Sequence, residues 1–337
     1  MKKHIPLALC AIVMLLLAAS CEREGVYSPG KKISMIYVDD GSGKKLDQFW
    51  IWKGKELQSI TYPGKAVLTF RYNKKNQLDS ILVSGLQYDY TEDLFNPATY
   101  FELTSYYILT YDQSGKHIEA LDRYALDQAA NRFVLMERYT FEYNTDGLIS
   151  DYIYTKTVNH YHKEAVDSRM TDHVFNILFP ELHGGDSPAR ISNRYEDNGP
   201  ILRHSESYKE TFCYSGGNVI HSLYKMLTPE INMYSYDYTY TQYQNPFFRM
   251  FQRGTPGSVD LYNRNLVKTC CIVDSILPDS VFVKDLCTWE YDIEDGYPVK
   301  ATCNGKWFFE NMENVGVPGE TLDTSYYTRT YYYEYVK

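Results

Sequence analysis

The stretch "NHYHKE" sets His160 and His162 two residues apart. On a strand that spacing points both imidazoles to one side. Two such rings can hold a metal when a third ligand comes near, and His173 or His183 could supply it. The competing reading is a solvated strand or loop, so the pair is a weak metal candidate. "DDGSGKK" at 39–45 offers carboxylates and glycines. It lacks the longer Glu-terminated loop of calcium sites and reads as a hairpin turn. "HGGD" at 183–186 fits an active-site loop or a plain one. Carboxylates are plentiful enough for two to fall at glycosidase separation in any fold. No G-x-S-x-G, phosphate-loop or dinucleotide pattern occurs, so no catalytic residue and no cofactor is assigned.

Of the seven cysteines, Cys10 and Cys21 lie in the N-terminal segment, leaving Cys213, Cys270, Cys271, Cys287 and Cys303. "CTWEYDIEDGYPVKATC" runs from Cys287 to Cys303 around the turn signal "EDG". A hairpin centred on Asp295 sets Cys287 opposite Cys303, Trp289 opposite Ala301 and Tyr291 opposite Val299. Directly opposed Cβ atoms lie about 4.5–5.5 Å apart, close to disulfide reach. A Cys287–Cys303 bridge is therefore expected, with two buried thiols as the alternative, since a one-residue bulge would move the register. No C-x-x-C pair suggests structural zinc.

The elements that must carry these residues repeat. "TFRYNKKNQLDSI" places Leu78 and Ile81 six and nine residues after Tyr72, and "TFEYNTDGLISDY" places Ile149 and Tyr152 at the same distances from Tyr143. Tyr111 and Asp112 begin a third copy, Tyr214 with Ile220 and Leu223 a fourth, and Tyr291 and Asp292 a longer one; "WIWKGKELQSI" is a shortened version. Apolar and polar residues alternate up to each Tyr, giving a strand with one buried face. Asn or Asp then bonds the backbone two residues on and opens the turn. Gly, Asn or Asp later in the turn tolerates the left-handed conformation a tight hairpin needs. With 34 tyrosines and 15 phenylalanines and almost no helical periodicity, the chain reads as all-β: an antiparallel meander of hairpin repeats forming a curved sheet or barrel-like structure.

The opening "MKKHIPLALCAIVMLLLAASC" has a basic start, an apolar run and small residues before Cys21. It follows the plan of a secretory signal and resembles the lipobox of bacterial lipoproteins, with Ala18 where Leu is usual. That resemblance covers residues 1–21. It implies a signal peptide at 1–20, a lipid-bearing Cys21 and a flexible tether through residue 32, followed by one repetitive β domain over 33–337. Glu22 and Glu24 add a hint of a surface-export signal. The formal charge is −9. Chain-wide, that excludes an electrostatic approach to nucleic acid and gives no reason to approach an anionic lipid face.

The Tyr-Asn/Asp turn units resemble the YD-type repeats of bacterial surface proteins. With the lipobox and "YTQYQNPFF" (240–248), they are similar to uncharacterised Bacteroidales lipoproteins with a porin-like β fold, over most of 33–337. The spacing after Tyr143 and the polar stretch 159–209 depart from that pattern. The resemblance implies no activity. Three readings follow. The first is a binding or adhesion module for a glycan or peptide, held by its lipid on the outer membrane, facing the periplasm or the surface. The second is an anchored glycan-acting hydrolase, and the third an outer-membrane β-barrel. Arg71, Glu142, Glu290 and Glu334, on the faces opposite the aromatic rows, weigh against the third.

Overall fold

The computed structural model describes residues 29–89, 98–127, 131–159, 203–248, 250, 263–277, 280–309 and 323–337. The strands in order are β1 (Ile33–Asp39), β2 (Lys45–Lys53), β3 (Glu56–Tyr62), β4 (Ala66–Tyr72), β5 (Leu78–Asp89), β6 (Ala98–Tyr111), β7 (Ile118–Asp127) and β8 (Arg132–Tyr143), then β9 (Ile149–Asn159), β10 (Arg203–Ser215), β11 (Asn218–Leu227), β12 (Glu230–Gln244), β13 (Asn265–Leu277), β14 (Ser280–Glu294), β15 (Tyr297–Phe309) and β16 (Asp323–Tyr335). Each pairs antiparallel with its chain neighbour, and β1 pairs with β16, so the sheet closes into a barrel of 16 strands. Closure leaves no edge strand exposed. The expected all-β meander is thus present in its closed form, and the aromatic "ATYFELTSYY" is strand β6.

The Tyr-Asn/Asp turns all fall at one end of the barrel, here the turn end. The chain builds them as the side-chain chemistry dictates. Asn73 Oδ1 accepts from the amides of Lys75 (2.8 Å) and Gln77 (3.1 Å), and Asn144 Oδ1 from Asp146 and Leu148 (both 3.0 Å). Gly115 and Gly147 take φ of 66° and 72°, where a side chain would be strained. A register shift sits beside the aromatic residue at Trp52, Tyr72, Tyr111, Tyr143, Tyr214 and Tyr240. Such bulges re-aim a side chain. Here each ring reaches back over its own strand, and its polar tip donates to a carbonyl near the start of the preceding strand. Tyr72 bonds Leu57 O (2.8 Å), Tyr111 bonds Leu78 O (2.6 Å), Tyr143 bonds Ile118 O (2.8 Å) and Tyr214 bonds Ile149 O (2.8 Å). Trp52 reaches Ile33 O, Tyr240 reaches Val219 O, Tyr291 reaches Val267 O and Tyr335 reaches Pro298 O. The eight bonds fall one in each alternate strand pair, from β1–β2 to β15–β16, forming an aromatic belt around the turn end.

The carbonyl partners are the first apolar residues of the repeat, and they form the core. Ile33, Leu57, Ile60, Leu78, Ile118 and Leu121 are fully buried inside the barrel. In the Tyr214 unit the buried pair is Val219 and Ser222, not Ile220 and Leu223; Ile220 is 43% exposed. Its turn is the short Gly216–Gly217 pair, which brings the next strand in one residue earlier.

"NPFF" closes the turn end. The Asn245 side chain donates to Asn263 O (3.0 Å) and accepts from the Phe247 amide (2.9 Å). That directs Phe247, 4% exposed, away from β12 and β13 across the opening. Its ring meets Trp50 of β2 at 6.3 Å and Tyr333 of β16 at 6.2 Å between centroids, with Met250 buried alongside.

One close approach depends on glycine. A Cβ on Gly305 would lie 1.9 Å from the Tyr327 ring, which crosses the strand there. Gly305→Val is expected to expel that ring and cost about 1–3 kcal/mol, read as a lowered urea midpoint. An unchanged midpoint would mean that the ring does not lie flat over residue 305.

Candidate functional site

Strand alternation puts several tyrosines on the inner wall of the barrel from β8 to β12, and one from each strand joins a row across them. Tyr139 opposes Tyr154, Tyr154 opposes Tyr208, and Tyr224 opposes Tyr234. Tyr224 sits diagonally from Tyr208, since its direct partner is Glu210. The five rings stack in sequence with centroid spacings of 4.7, 5.9, 5.5 and 6.5 Å. They lie on the same side as the core residues Phe141, Tyr152, Phe212 and Tyr238, further from the turn end. Tyr139 is buried, whereas Tyr154, Tyr208, Tyr224 and Tyr234 are half-buried.

This arrangement changes what the tyrosines can recognise. In a stack the ring faces are covered by neighbours, so a ligand in the barrel meets ring edges and hydroxyls. Ring edges carry the positive part of the aromatic quadrupole. Burial pushes the Tyr208 hydroxyl up to about 12, with Glu206, whose carboxylate accepts its hydrogen bond at 2.8 Å, adding to the rise. Burial likewise raises Tyr154 and Tyr224. All three stay protonated donors at neutral pH. The Tyr208 hydrogen is already given to Glu206, so the ladder offers the hydroxyls of Tyr154 and Tyr224 as donors to an acceptor-rich ligand.

Besides Glu206, an ion pair and a buried carboxyl flank it. Arg123 donates to Glu137 at 2.8 Å, both side chains nearly buried. Its guanidinium lies 6.0 Å from the Tyr107 ring centre, and its Nε has no hydrogen-bond partner among the described residues. Glu210 lies beneath the ladder, 8% exposed. Its oxygens accept from Tyr152 (2.5 Å) and Ser222 (2.7 Å). Burial pushes this carboxyl up to about 7, and the two hydroxyls limit the rise.

The cysteines do not take the expected register. The turn is the two-residue Asp295–Gly296 pair, with φ of 50° and 83°, and a register shift follows at Asp292/Ile293. Together these set Gly305 opposite Cys287 and Cys303 opposite Trp289. Cys287 instead directly opposes Cys270 of β13. No disulfide joins the described cysteines, and the expected Cys287–Cys303 bridge is not formed. The Cys270 thiol, and after it the Cys303 thiol, hydrogen-bond to Cys287 and hold it below the ordinary thiol range; Cys270 is pushed up in return. Cys287 is thus the central member of a buried three-strand row. Refolding the full chain in a glutathione redox buffer is expected to leave Cys287 bridged to Cys270, which it directly opposes. Peptide mapping reads the outcome; Cys287 recovered as a thiol would contradict it.

His160, His162, His173 and His183, the "HGGD" loop and Cys21 lie outside the described residues. Asp39 and Asp40 spend their oxygens within the β1–β2 turn, accepting from the amides of Gly41, Gly43 and Ser42. No three His, Cys, Asp or Glu side chains converge on a metal position among the described residues. Sequence reading missed the ladder, Glu210 and the Arg123–Glu137 pair. The only available signal was a Tyr at alternate positions in β8–β12, which needs the register to become a stack.

No family model matches the chain, and no curated protein matches it. Among solved structures, a porin-like protein from Bacteroides uniformis aligns over 93% of this chain and 100% of its own, with 12% identity and a TM-score of 0.38. A porin-like protein from Bacteroides vulgatus aligns over 91% and 99%, with 10% identity and a TM-score of 0.35. The TcdB2-TccC3-Cdc42 structure aligns over 87% of this chain but 13% of its own, with 12% identity and a TM-score of 0.33.

Proposed function

We propose that this chain is a binding module of the cell envelope, held on the outer membrane by a lipid on Cys21, and that it receives its ligand against the tyrosine ladder of β8–β12. The observation that carries the reading is the half-buried row of Tyr154, Tyr208, Tyr224 and Tyr234 on the concave inner wall. A rigid aromatic surface loses little entropy on binding. The edges and hydroxyls it presents fit a glycan, rich in acceptor oxygens, better than an apolar peptide. The lipobox-like "AASC" and the polar tether support the anchored location.

Two alternatives have less support. A membrane-spanning barrel needs an apolar outer face. Here Arg71, Glu142, Glu290 and Glu334 are exposed on the outer side. The ion pairs Arg138–Asp122 (2.6 Å) and Lys209–Asp151 (2.9 Å) also lie between neighbouring strands on that side, Asp122 buried and the other three side chains partly exposed. A hydrolase needs two converging carboxylates, and both oxygens of Glu210 are already held by hydroxyls. The test of the binding reading is an array of glycans and polypeptides probed with the full chain, then with its ladder variants.

A further inference from the structure

The charge of the chain is not evenly spread. Between Lys31 and Lys75 there are ten lysines and arginines against four acidic residues, in a chain whose formal charge is −9. That stretch is one wall of the barrel, β1 to β4, built of strands of seven to nine residues. Its inner face is core: Ile36, Trp50, Ile60, Leu68 and Phe70 are buried. Its outer face carries a second apolar surface that no described residue covers. Leu46, Phe49 and Ile51 are 40%, 37% and 45% exposed. Met35 pairs with Phe49 and Tyr37 with Leu46 in the β1–β2 register, which puts them on the same side.

Lysines frame this surface at both ends. Lys44 lies over the outward rings of Tyr37 (4.1 Å) and Tyr332 (4.8 Å), with Lys45 and Lys65 exposed nearby. At the turn end Lys53, Lys55 and Lys74 are exposed. An apolar centre with a lysine rim, on an otherwise acidic molecule, fits a surface of phosphate headgroups over acyl chains. The chain also enters the barrel through this wall. Eleven residues, 22–32, separate Cys21 from β1, so an acylated Cys21 would keep the wall within about 40 Å of the lipid.

We propose that the outer face of β1–β4 is a docking surface for anionic lipid headgroups, laying the barrel against the membrane on that side. The inference rests on the lipid-anchored reading for the placement of Cys21. Its own evidence is the segregated charge and the exposed apolar face. The test reconstitutes the full chain into phosphatidylcholine vesicles with or without phosphatidylglycerol and maps lysine acetylation by mass spectrometry. Lys44, Lys53, Lys55 and Lys74 are expected to be protected only where phosphatidylglycerol is present, while Lys225 and Lys268 on other walls react alike in both. Equal labelling of the two sets in both vesicles overturns the proposal. The mass of the N-terminal peptide reports separately whether Cys21 is acylated. If it is not, the anchor fails, and the chain added to preformed vesicles decides the docking surface alone. Salt-sensitive co-sedimentation with phosphatidylglycerol vesicles supports it, and none overturns it. Charge reversal by Lys53→Glu, Lys55→Glu and Lys74→Glu together is expected to weaken that association by at least about tenfold.

Discussion

Glu210→Gln is expected to make the barrel more stable at pH 8 while changing little at pH 4.5. The carboxyl of Glu210 titrates near 7 in the fold against 4.5 for an ordinary Glu. Between those values the folded chain holds a proton that the unfolded chain has released. The stability contributed by the protonated form is complete below about pH 4.5 and is lost as pH rises through 7. A rise of this size corresponds to about 3 kcal/mol at most. Gln is neutral throughout and keeps the same partners: its carbonyl can accept from Tyr152 and its amide can donate to Ser222. Urea midpoints of both proteins at pH 4.5 and 8 isolate the effect, because other carboxylates, such as Asp151, with its lowered pKa, contribute equally to both. A difference that grows by about 3 kcal/mol towards pH 8 is predicted. A constant difference would mean that Glu210 is solvated enough to ionise normally.

Phe247→Ala is expected to be the most damaging single truncation at the turn end. The side chain is 4% exposed and touches rings from two strands remote from its own loop. Removing a buried Phe side chain typically costs about 3–5 kcal/mol, the lost transfer energy plus the cavity left behind. Trp50 and Tyr333 belong to the closed wall and cannot collapse into the gap without breaking the β1–β16 closure. The expected result is a urea midpoint lowered accordingly, with the unfolding slope unchanged. A loss below about 1 kcal/mol would show that the loop only covers the opening.

The turn units were legible in the sequence because their causes are local. Asn73 and Asn144 bond amides within their own turns, and alternation around Phe141 and Tyr143 fixes a face without any distant contact. The belt was only partly legible. Trp52 replaces the Tyr, Tyr335 lies in β16, whose partner is β1, and Tyr240 is followed by the long connection to β13. Closure was not legible, since it rests on β1 meeting β16 across nearly the whole chain. "YTQYQNPFF" carries part of the family resemblance, but the role of its Phe247 depends on reaching β2 and β16. The cysteine row shows how little separates a correct register from a wrong one. A turn moved by one residue and one bulge displaced Cys303 by two places and brought Cys270 in. The ladder depends on register on five strands at once, so its tyrosines looked like ordinary strand formers.

Ligand binding at the tyrosine ladder is tested on the array by comparing two paired variants. Tyr154→Ala with Tyr224→Ala removes the middle of the ladder, and Tyr37→Ala with Tyr332→Ala removes tyrosines from the outer face. The ladder pair is expected to abolish the binding seen with the full chain, at about 1 kcal/mol or more per ring, while the outer pair leaves it intact. Binding that survives loss of the ladder would contradict it.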